Sequence, residues 1–503
     1  MKEKIAKGVV WLGAAKLIIN LIAFCSTLLL AHLLTPEDFG LVALATTMLA
    51  VISAFTELSM ASALIHHHEP TDAHFHTAWT LNFSRALIVA VLFSMAAPFV
   101  AQAYNEPRLQ EIMYALSVST IFVGLNNPKL ALLTRNLVFK QDFILTVLQK
   151  ISGFVISIAI AFFYQSYWAL ILGAMASHLV GVIASYVILP YRPKLALIHA
   201  RELWSFSIWL TLGQIVNTLN WKFDHLLIGS FLGPSTLGQY TVGDNLAGMA
   251  TREAIGPLET TLFPGFARIA KDSDRLKAAY SSVQSLLSAV ALPVGIGSAL
   301  IAQPLVLVGM GEKWLPAVAV IQVLSCIFAL QTLSSPVHPL AMAKGQTKLL
   351  FHRDLLSLII RVPIIVAGMI LGGLPGIIYG RAVTGAISII INMHLVRRLI
   401  GTKIREQIFI SGRSLVAVVF MAIGVTVFKY GFDSWGVSLG YEAKDTFFLI
   451  SKIGATILVG ASSYVTGHYV LWRLMKRPQG PETEVVNALK KVAAKLHMMN
   501  ASK

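Results

Sequence analysis

Long apolar runs, separated by short polar connections, occupy most of the chain. A membrane-spanning helix needs about 20 apolar residues, because the hydrocarbon core is about 30 Å thick and a helix rises about 1.5 Å per residue. The runs predict fourteen spans, at residues 8–31, 40–64, 77–101, 109–133, 142–164, 166–189, 203–230, 236–263, 279–309, 314–343, 349–371, 374–397, 412–430 and 446–471. The pattern therefore predicts an all-α polytopic membrane protein whose connections are too short to form a catalytic domain.

The composition supports this fold class and excludes several others. Only 13% of the 503 residues are charged and 56% are hydrophobic, whereas soluble domains are about a quarter charged. These proportions exclude a soluble enzyme, a secreted disulfide domain and a disordered chain. Both cysteines, Cys25 and Cys326, fall inside apolar runs, so we predict neither a disulfide framework nor a zinc site.

The net charge of +16 reflects membrane topology rather than nucleic-acid binding, because Lys and Arg concentrate in the termini and in the loops after predicted spans 4, 6, 8, 10 and 12. Short loops rich in Lys and Arg stay in the cytoplasm. We therefore predict a multi-pass protein with both termini cytoplasmic. The helix ends that carry these loops are called the basic end below, and the opposite helix ends are called the outer end.

The sequence repeats itself at an offset of 198 residues. Over 11–40 against 209–238, eight of thirty residues are identical, and Pro36 with Gly40 aligns on Pro234 with Gly238. The offset spans six predicted helices, so both copies cross the membrane in the same direction, as in transporters built from parallel repeats. The sequence predicts four regions: an N-lobe of six helices at 1–200, a C-lobe of six helices at 201–400, two further helices at 401–472 and a tail at 473–503.

Three stretches resemble signatures of the polysaccharide transporter family, which belongs to the multidrug/oligosaccharidyl-lipid/polysaccharide flippase superfamily and includes Wzx-type and colanic-acid-type exporters. The first is Leu28–Ala45, LLLAHLLTPEDFGLVALA, and the others are Phe223–Gly238 and Tyr240–Gly248. The resemblance implies that the chain flips undecaprenyl-pyrophosphate-linked oligosaccharide across the bacterial inner membrane by alternating access, for surface or exopolysaccharide biosynthesis. It further implies membrane lipids, a polysaccharide polymerase and glycosyltransferases as partners.

Seven cations within the predicted spans are candidates for binding such a substrate. Ionisable groups in the membrane are costly and are functional candidates by default, and a pyrophosphate needs cations along a water-filled path. The candidates are Lys16, Arg85, Lys150, Lys222, Arg252, Arg361 and Arg381. The alternative is structural pairing, for example of Arg252 with Asp224 or Asp244.

A polar stripe runs along predicted spans 7 and 8. In span 7 the spacings of three or four residues place its members on one helical face, and that face cannot contact lipid. The stripe consists of Gln214, Asn217, Asn220, Asp224, Asp244 and Asn245. Hydrogen bonding between helices explains the amides, whereas the two carboxylates are candidates for a coupling proton or sodium ion. We predict no other cofactor.

Two further segments, the loop between predicted spans 2 and 3 and the C-terminal tail, have distinctive compositions. The loop from His66 to His76 contains five histidines and two carboxylates, but this compositional signal favours a solvated turn, and we predict no metal site. In the tail, apolar residues recur at helical spacing between lysines from Val485 to Met499. This pattern predicts a basic amphipathic helix, with the anionic leaflet and a partner protein as the alternative docking surfaces.

Two other functions remain open from the sequence. One is an ion-coupled multidrug exporter of the same superfamily, which would favour an anionic cavity for cationic drugs. The other is an integral-membrane polysaccharide polymerase or glycosyltransferase, which would need a sizeable loop carrying catalytic groups. We predict a transporter and no enzyme, with no nucleic acid as a partner.

Overall fold

A computed structural model describes residues 2–56, 60, 64, 70–135, 139–438, 445–476 and 480–483, and within these ranges the side chains of 2–17, 134, 135, 139, 201–211, 250 and 252–261 are not described. Its α-helices are α1 (Lys2–Leu33), α2 (Pro36–Thr56), α3 (Asp72–Ala103), α4 (Arg108–Gly124), α5 (Leu130–Arg135), α6 (Phe139–Tyr164), α7 (Trp168–Ile188), α8 (Ala200–Phe231), α9 (Gly233–Ile269), α10 (Ser273–Gly309), α11 (Leu315–Gln331), α12 (Val337–Ala343), α13 (Thr347–Ile400), α14 (Ile404–Ile410), α15 (Gly412–Ser438) and α16 (Thr446–Leu474). Two short 3-10 helices, Glu312–Trp314 and Thr332–Ser334, flank α11.

The predicted all-α polytopic class is confirmed. The described part of the chain contains helices and no strand, and nine of its helices are long and apolar enough to cross a membrane. Each of the fourteen predicted spans overlaps a helix, with two spans sharing α13. Large apolar side chains such as Phe163, Leu371 and Tyr430 are more than three-quarters exposed, as expected where lipid replaces water around a helix bundle.

The longest helix is two helices joined by a sharp kink. Gly372 and Gly373 inside α13 have non-helical backbone angles, and Gly373 has a φ of 57°. Glycine adopts such a positive φ at no steric cost. The kink lies at the connection that the sequence places between predicted spans 11 and 12, so α13 is a helical hairpin.

The chain divides into two compact units. Unit 1 comprises residues 1–243, 309–317 and 354–377, and unit 2 comprises 244–308, 318–353 and 378–503. The boundaries between the units fall inside α9 and inside α13. The division follows the spatial contacts between residues and takes no account of the two copies of the sequence repeat. The predicted lobe boundaries at 200 and 400 stay a prediction.

The α1–α2 turn and the start of α9, both in unit 1, meet at the outer end in a reciprocal contact. A Cβ atom on Gly40 would overlap the carbonyl oxygen of Pro234, and a Cβ atom on Gly238 would overlap the carbonyl oxygen of Pro36. These four residues are the pairs aligned by the repeat, and contact in which each copy offers the same surface indicates an approximate two-fold axis. We call these four residues the glycine contact.

Local hydrogen bonds fix the turn that carries this contact. The amide of Thr35 donates to the Asp38 carboxylate at 2.9 Å, and the amide of Asp38 donates to the Thr35 hydroxyl at 3.2 Å. This reciprocal cap satisfies amides that the first turn of α2 leaves without partners. The fully buried Trp314 ring donates from Nε1 to the carbonyl of Ala31 at 2.7 Å, which ties the end of α1 to the 3-10 helix.

Candidate functional site

In unit 1, the polar stripe leads to a fully buried carboxylate, Asp224 on α8. Arg361 on α13 donates to its two oxygens, from Nη2 to Oδ2 at 2.7 Å and from Nε to Oδ1 at 3.3 Å. The Tyr240 hydroxyl on α9 donates to the same Oδ2 at 2.9 Å. Paired Arg–carboxylate hydrogen bonds are both strong and directional, so the group holds three helices in one arrangement.

A second polar contact aligns α8 with α13. The side-chain amide of Asn220 donates to the backbone carbonyl of Asp354 at 2.9 Å. Asn220 lies one turn before Asp224, and Asp354 lies two turns before Arg361, so the two contacts follow one seam between these helices. This one amide of the stripe, Asn220, therefore contributes to helix packing.

Unit 2 contains a second pair, between Arg381 on α13 and Asp244 on α9. The Nη2 atom of Arg381 lies 3.6 Å from Oδ1 of Asp244, and both side chains are nearly inaccessible. The guanidinium also lies over the ring of Phe328, 5.8 Å from its centroid. A guanidinium on an aromatic face is stabilised by the ring quadrupole, so Arg381 is held by a carboxylate and a ring together.

The structure thus gives Arg361 and Arg381 a carboxylate partner each, within their own units. Arg85 on α3 and Lys222 on α8 are half-buried, and Lys150 on α6 is exposed. The side chains of Lys16 on α1 and Arg252 on α9 lie outside the described residues. Pairing of Arg252 with either aspartate therefore stays a hypothesis, and the assignment of the whole set to substrate binding stays a prediction.

The remaining stripe residues are accessible. Gln214 and Asn217 on α8 are exposed, and so is Asn245 on α9 beside the buried Asp244. Exposed amides at membrane depth are satisfied only by water or by polar partners. We infer that these parts of α8 and α9 each border an aqueous space.

Tyr240 is a site residue that sequence reasoning missed. It is the first residue of the YTVGDNLAG stretch, where an aromatic side chain is ordinarily interpreted as a packing residue. In the structure its side chain is fully buried and its hydroxyl contacts Asp224. The available signal was that a tyrosine buried in a membrane helix needs a partner for its hydroxyl. The missing information was which helix supplies that partner.

The structure describes only part of the histidine loop and part of the tail. Residues 57–59 and 65–69, which include Glu57 and the first four residues of the histidine loop, and residues 484–503 of the tail lie outside the described residues. Among the residues that are described, no group of three or more His, Cys, Asp or Glu side chains is arranged to hold a metal ion. His74 and His76 instead contact Thr71 and Tyr191 through hydrogen bonds of 2.7 and 2.8 Å.

Comparison with known proteins places the chain among relatives of one kind. A family model described as "Polysaccharide biosynthesis protein" matches residues 29–319. The lipopolysaccharide biosynthesis protein WzxC of Escherichia coli K12 is 24% identical over 81% of this chain and 84% of its own length. The succinoglycan biosynthesis transport protein ExoT of Rhizobium meliloti is 26% identical over 80% of this chain and 82% of its own length.

Solved structures share the fold at low sequence identity. The lipid II flippase MurJ, in an inward closed conformation, matches with a TM-score of 0.70 and 12% identity over 94% of this chain and all of its own. An inward-facing multidrug-resistance transporter of the MATE family matches with a TM-score of 0.59 and 13% identity, over 78% of this chain and 99% of its own. The likeness extends to most of the helices described above.

Proposed function

Because the chain belongs to the polysaccharide biosynthesis protein family and resembles its signatures, we propose that it flips undecaprenyl-pyrophosphate-linked oligosaccharide across the bacterial inner membrane, with both termini cytoplasmic. The names of WzxC and ExoT, which link those proteins to surface-polysaccharide synthesis and transport, support a transporter rather than an enzyme. The observation that carries the proposal within the molecule is the buried Asp224–Arg361 pair at the end of a polar stripe.

The chemistry of this pair suits a transported pyrophosphate. Arg361 has the planar donor geometry that phosphate oxygens accept, but in this structure Asp224 occupies it. Protonation of Asp224, or a cation bound to it, would weaken the pair and make the guanidinium available to an anion. The proposed coupling is thus a competition for Arg361 between Asp224 and the substrate pyrophosphate, with a proton as the preferred coupling ion and sodium as the alternative.

A reconstituted assay tests the flippase directly. Lipid-linked oligosaccharide in vesicles is scored by the access of a sugar-cleaving enzyme added outside. We expect transport above protein-free vesicles with the wild type and a loss of at least about tenfold with Arg361→Gln, since a charge-assisted hydrogen bond contributes about 1.5–3 kcal/mol. Arg398→Gln, at an exposed arginine on the same helix, is the matched control.

The same vesicles discriminate the alternatives. Export of a cationic dye without flipping of oligosaccharide would establish the multidrug exporter instead. Transport by Asp224→Asn that keeps the wild-type dependence on the proton and sodium gradients would exclude coupling through this carboxylate, while leaving the substrate assignment intact.

Alternating access is proposed from the glycine contact. Because backbone meets backbone there, unit 1 is closed tightly at this contact, and release on the outer side would require the contact to open. An alanine at Gly40 or Gly238 should favour the open state, measured as faster labelling of a cysteine placed at Leu237, which is fully buried beside the contact. Gly265→Ala, on the same helix as Gly238 and with open space around its Cβ position, should leave labelling unchanged.

A further inference from the structure

A cavity of about 700 Å³ opens at the basic end of unit 2, and neither Asp244 nor Arg381 is among its lining residues. It lies among the first turns of α10, the α14–α15 junction, the end of α16 and the segment 480–483. One part of its lining is polar, with Ser282, Ser285 and Arg413, and another part is apolar, with Phe409 and Leu471. A cavity with a polar wall and an apolar wall is suited to an amphipathic molecule, which is polar at one end and apolar at the other.

The surroundings of the cavity are strongly basic. The stretches of sequence 271–278, 402–413 and 473–483, each of which contributes residues to its lining, contain nine Lys and Arg and four Asp and Glu. One of these carboxylates, Glu406, pairs with Lys277 at 3.3 Å. Basic pockets between membrane helices on the cytoplasmic side are typical sites for anionic lipid headgroups.

In this structure the guanidinium of Arg413, which lines the cavity, is paired with the carboxylate of Glu482. Oε1 of Glu482 accepts from Nη1 of Arg413 at 2.8 Å and lies 2.8 Å from Nδ1 of His468. The His468 Nε2 atom in turn lies 3.0 Å from the hydroxyl of Ser414. Burial by itself would raise the pKa of Glu482, but the hydrogen bond from His468 and the charge of Arg413 lower it overall, so this carboxylate is ionised at neutral pH.

Only one of the two carboxylate oxygens of Glu482 has a hydrogen-bond partner among the described residues. Its second oxygen, Oε2, is buried and has no hydrogen-bond partner among the described residues. The segment approaches Arg413 closely, since a Cβ atom on Gly480 would overlap the guanidinium. A phosphodiester presents more acceptor oxygens than one carboxylate oxygen and would engage the planar guanidinium more fully.

We propose that this cavity binds the phosphodiester headgroup of an anionic phospholipid, with Glu482 as an internal competitor for Arg413. The phosphate lies against Arg413 and the serine hydroxyls, and an acyl chain follows the apolar wall of Phe409 and Leu471 toward the bilayer. Displacement of Glu482 releases the 480–483 segment. Lipid binding here is independent of whether the chain transports glycan.

The experiment is native mass spectrometry of the full-length protein exchanged into equal amounts of phosphatidylglycerol and phosphatidylcholine. We expect the wild type to retain phosphatidylglycerol preferentially and Glu482→Gln to retain about tenfold more, because its competitor has lost its charge. Ser282→Trp, which fills the cavity from an exposed position, should abolish the preference without lowering the melting temperature. Arg473→Gln, at an exposed arginine nearby that does not line the cavity, should keep it.

Three outcomes would overturn the proposal. One is an unchanged preference in Ser282→Trp, and another is weaker retention in Glu482→Gln. The third is loss of bound phosphatidylglycerol on addition of millimolar inorganic phosphate, which would identify a site for free phosphate rather than for lipid. Arg413→Gln is a further variant expected to lose the preference, and Ser282→Trp keeps the test decisive if that variant folds poorly.

Discussion

Both buried ion pairs join an aspartate to an arginine of α13, on α8 in unit 1 and on α9 in unit 2, yet they differ in the geometry of the contact between carboxylate and guanidinium. Asp224 is fully buried and accepts two hydrogen bonds from Arg361 and one from Tyr240. Asp244 lies 3.6 Å from Arg381, whose guanidinium also faces the ring of Phe328. The unit 1 pair is a closed hydrogen-bonded group, whereas the unit 2 pair is a looser electrostatic contact.

This difference assigns different properties to the two pairs. Removing one partner of a well-made buried pair leaves an uncompensated charge, which is costlier than losing a loose contact. The unit 1 pair should therefore contribute more to stability and respond more sharply to protonation. The unit 2 pair should exchange its partner more easily, because the ring continues to stabilise Arg381 when Asp244 is neutral.

The largest effect is expected from breaking the unit 1 pair. Asp224→Asn should destabilise the protein by about 3–5 kcal/mol, because Arg361 is left charged and buried. The double variant Asp224→Asn with Arg361→Gln should recover much of that loss, since neither charge remains. Thermal unfolding in detergent measures both variants, and a double variant that is less stable than either single variant would contradict the pairing.

A smaller effect is expected from the unit 2 pair. Asp244→Asn should cost about 1–3 kcal/mol, between the value for exposed pairs and that for well-made buried pairs. The measurement is the same thermal unfolding, made side by side with Asp224→Asn. A loss at Asp244 as large as that at Asp224 would remove the distinction between the two regions.

Tyr240→Phe sharpens the comparison inside unit 1. The substitution removes only a hydroxyl that donates to an ionised carboxylate, so we expect a loss of about 1.5–3 kcal/mol. Tyr280→Phe, at another fully buried tyrosine on α10, is the matched control. If both substitutions have the same effect, the Tyr240 hydroxyl is no special support for Asp224.

Phe328→Leu should have the smallest effect. It keeps an apolar side chain beside Arg381 and removes the ring face, which contributes about 0.5–2 kcal/mol to a neighbouring cation. In the Asp244→Asn background the same change should cost more, because the carboxylate then no longer stabilises the guanidinium beside the ring. A double-mutant cycle measures this coupling, and strict additivity would argue against a shared role.

Much of the fold followed from the sequence because it depends on local regularities. Run length located the helices, and the Gly372–Gly373 connection coincides with the kink in α13. The spacing from Asn220 to Asp224 correctly placed both on one helical face, and both are buried. The family resemblance is confirmed by the matching family model.

The partners of the stripe could not be derived in this way. Periodicity identifies the face of one helix but not the helix that packs against it, and Arg361 is 137 positions away from Asp224. The sequence suggested Arg252 as a partner because it is near in the chain. The contact that the structure describes at Asp224 comes from the hairpin of α13, which only the folded arrangement brings close, and pairing with Arg252 stays a hypothesis.

The glycine contact also has a consequence for how a duplicated gene can diverge. The two copies differ at the turn, where Thr35 stands in the first copy and Gly233, with a φ of 84°, in the second. Replacing Thr35 with glycine, as in the second copy, keeps an allowed backbone conformation. Replacing Gly233 with threonine, as in the first copy, forces a threonine into the left-handed region. Exchange between the two copies is therefore disfavoured by the backbone in one direction, while the four residues of the glycine contact are the same in both copies.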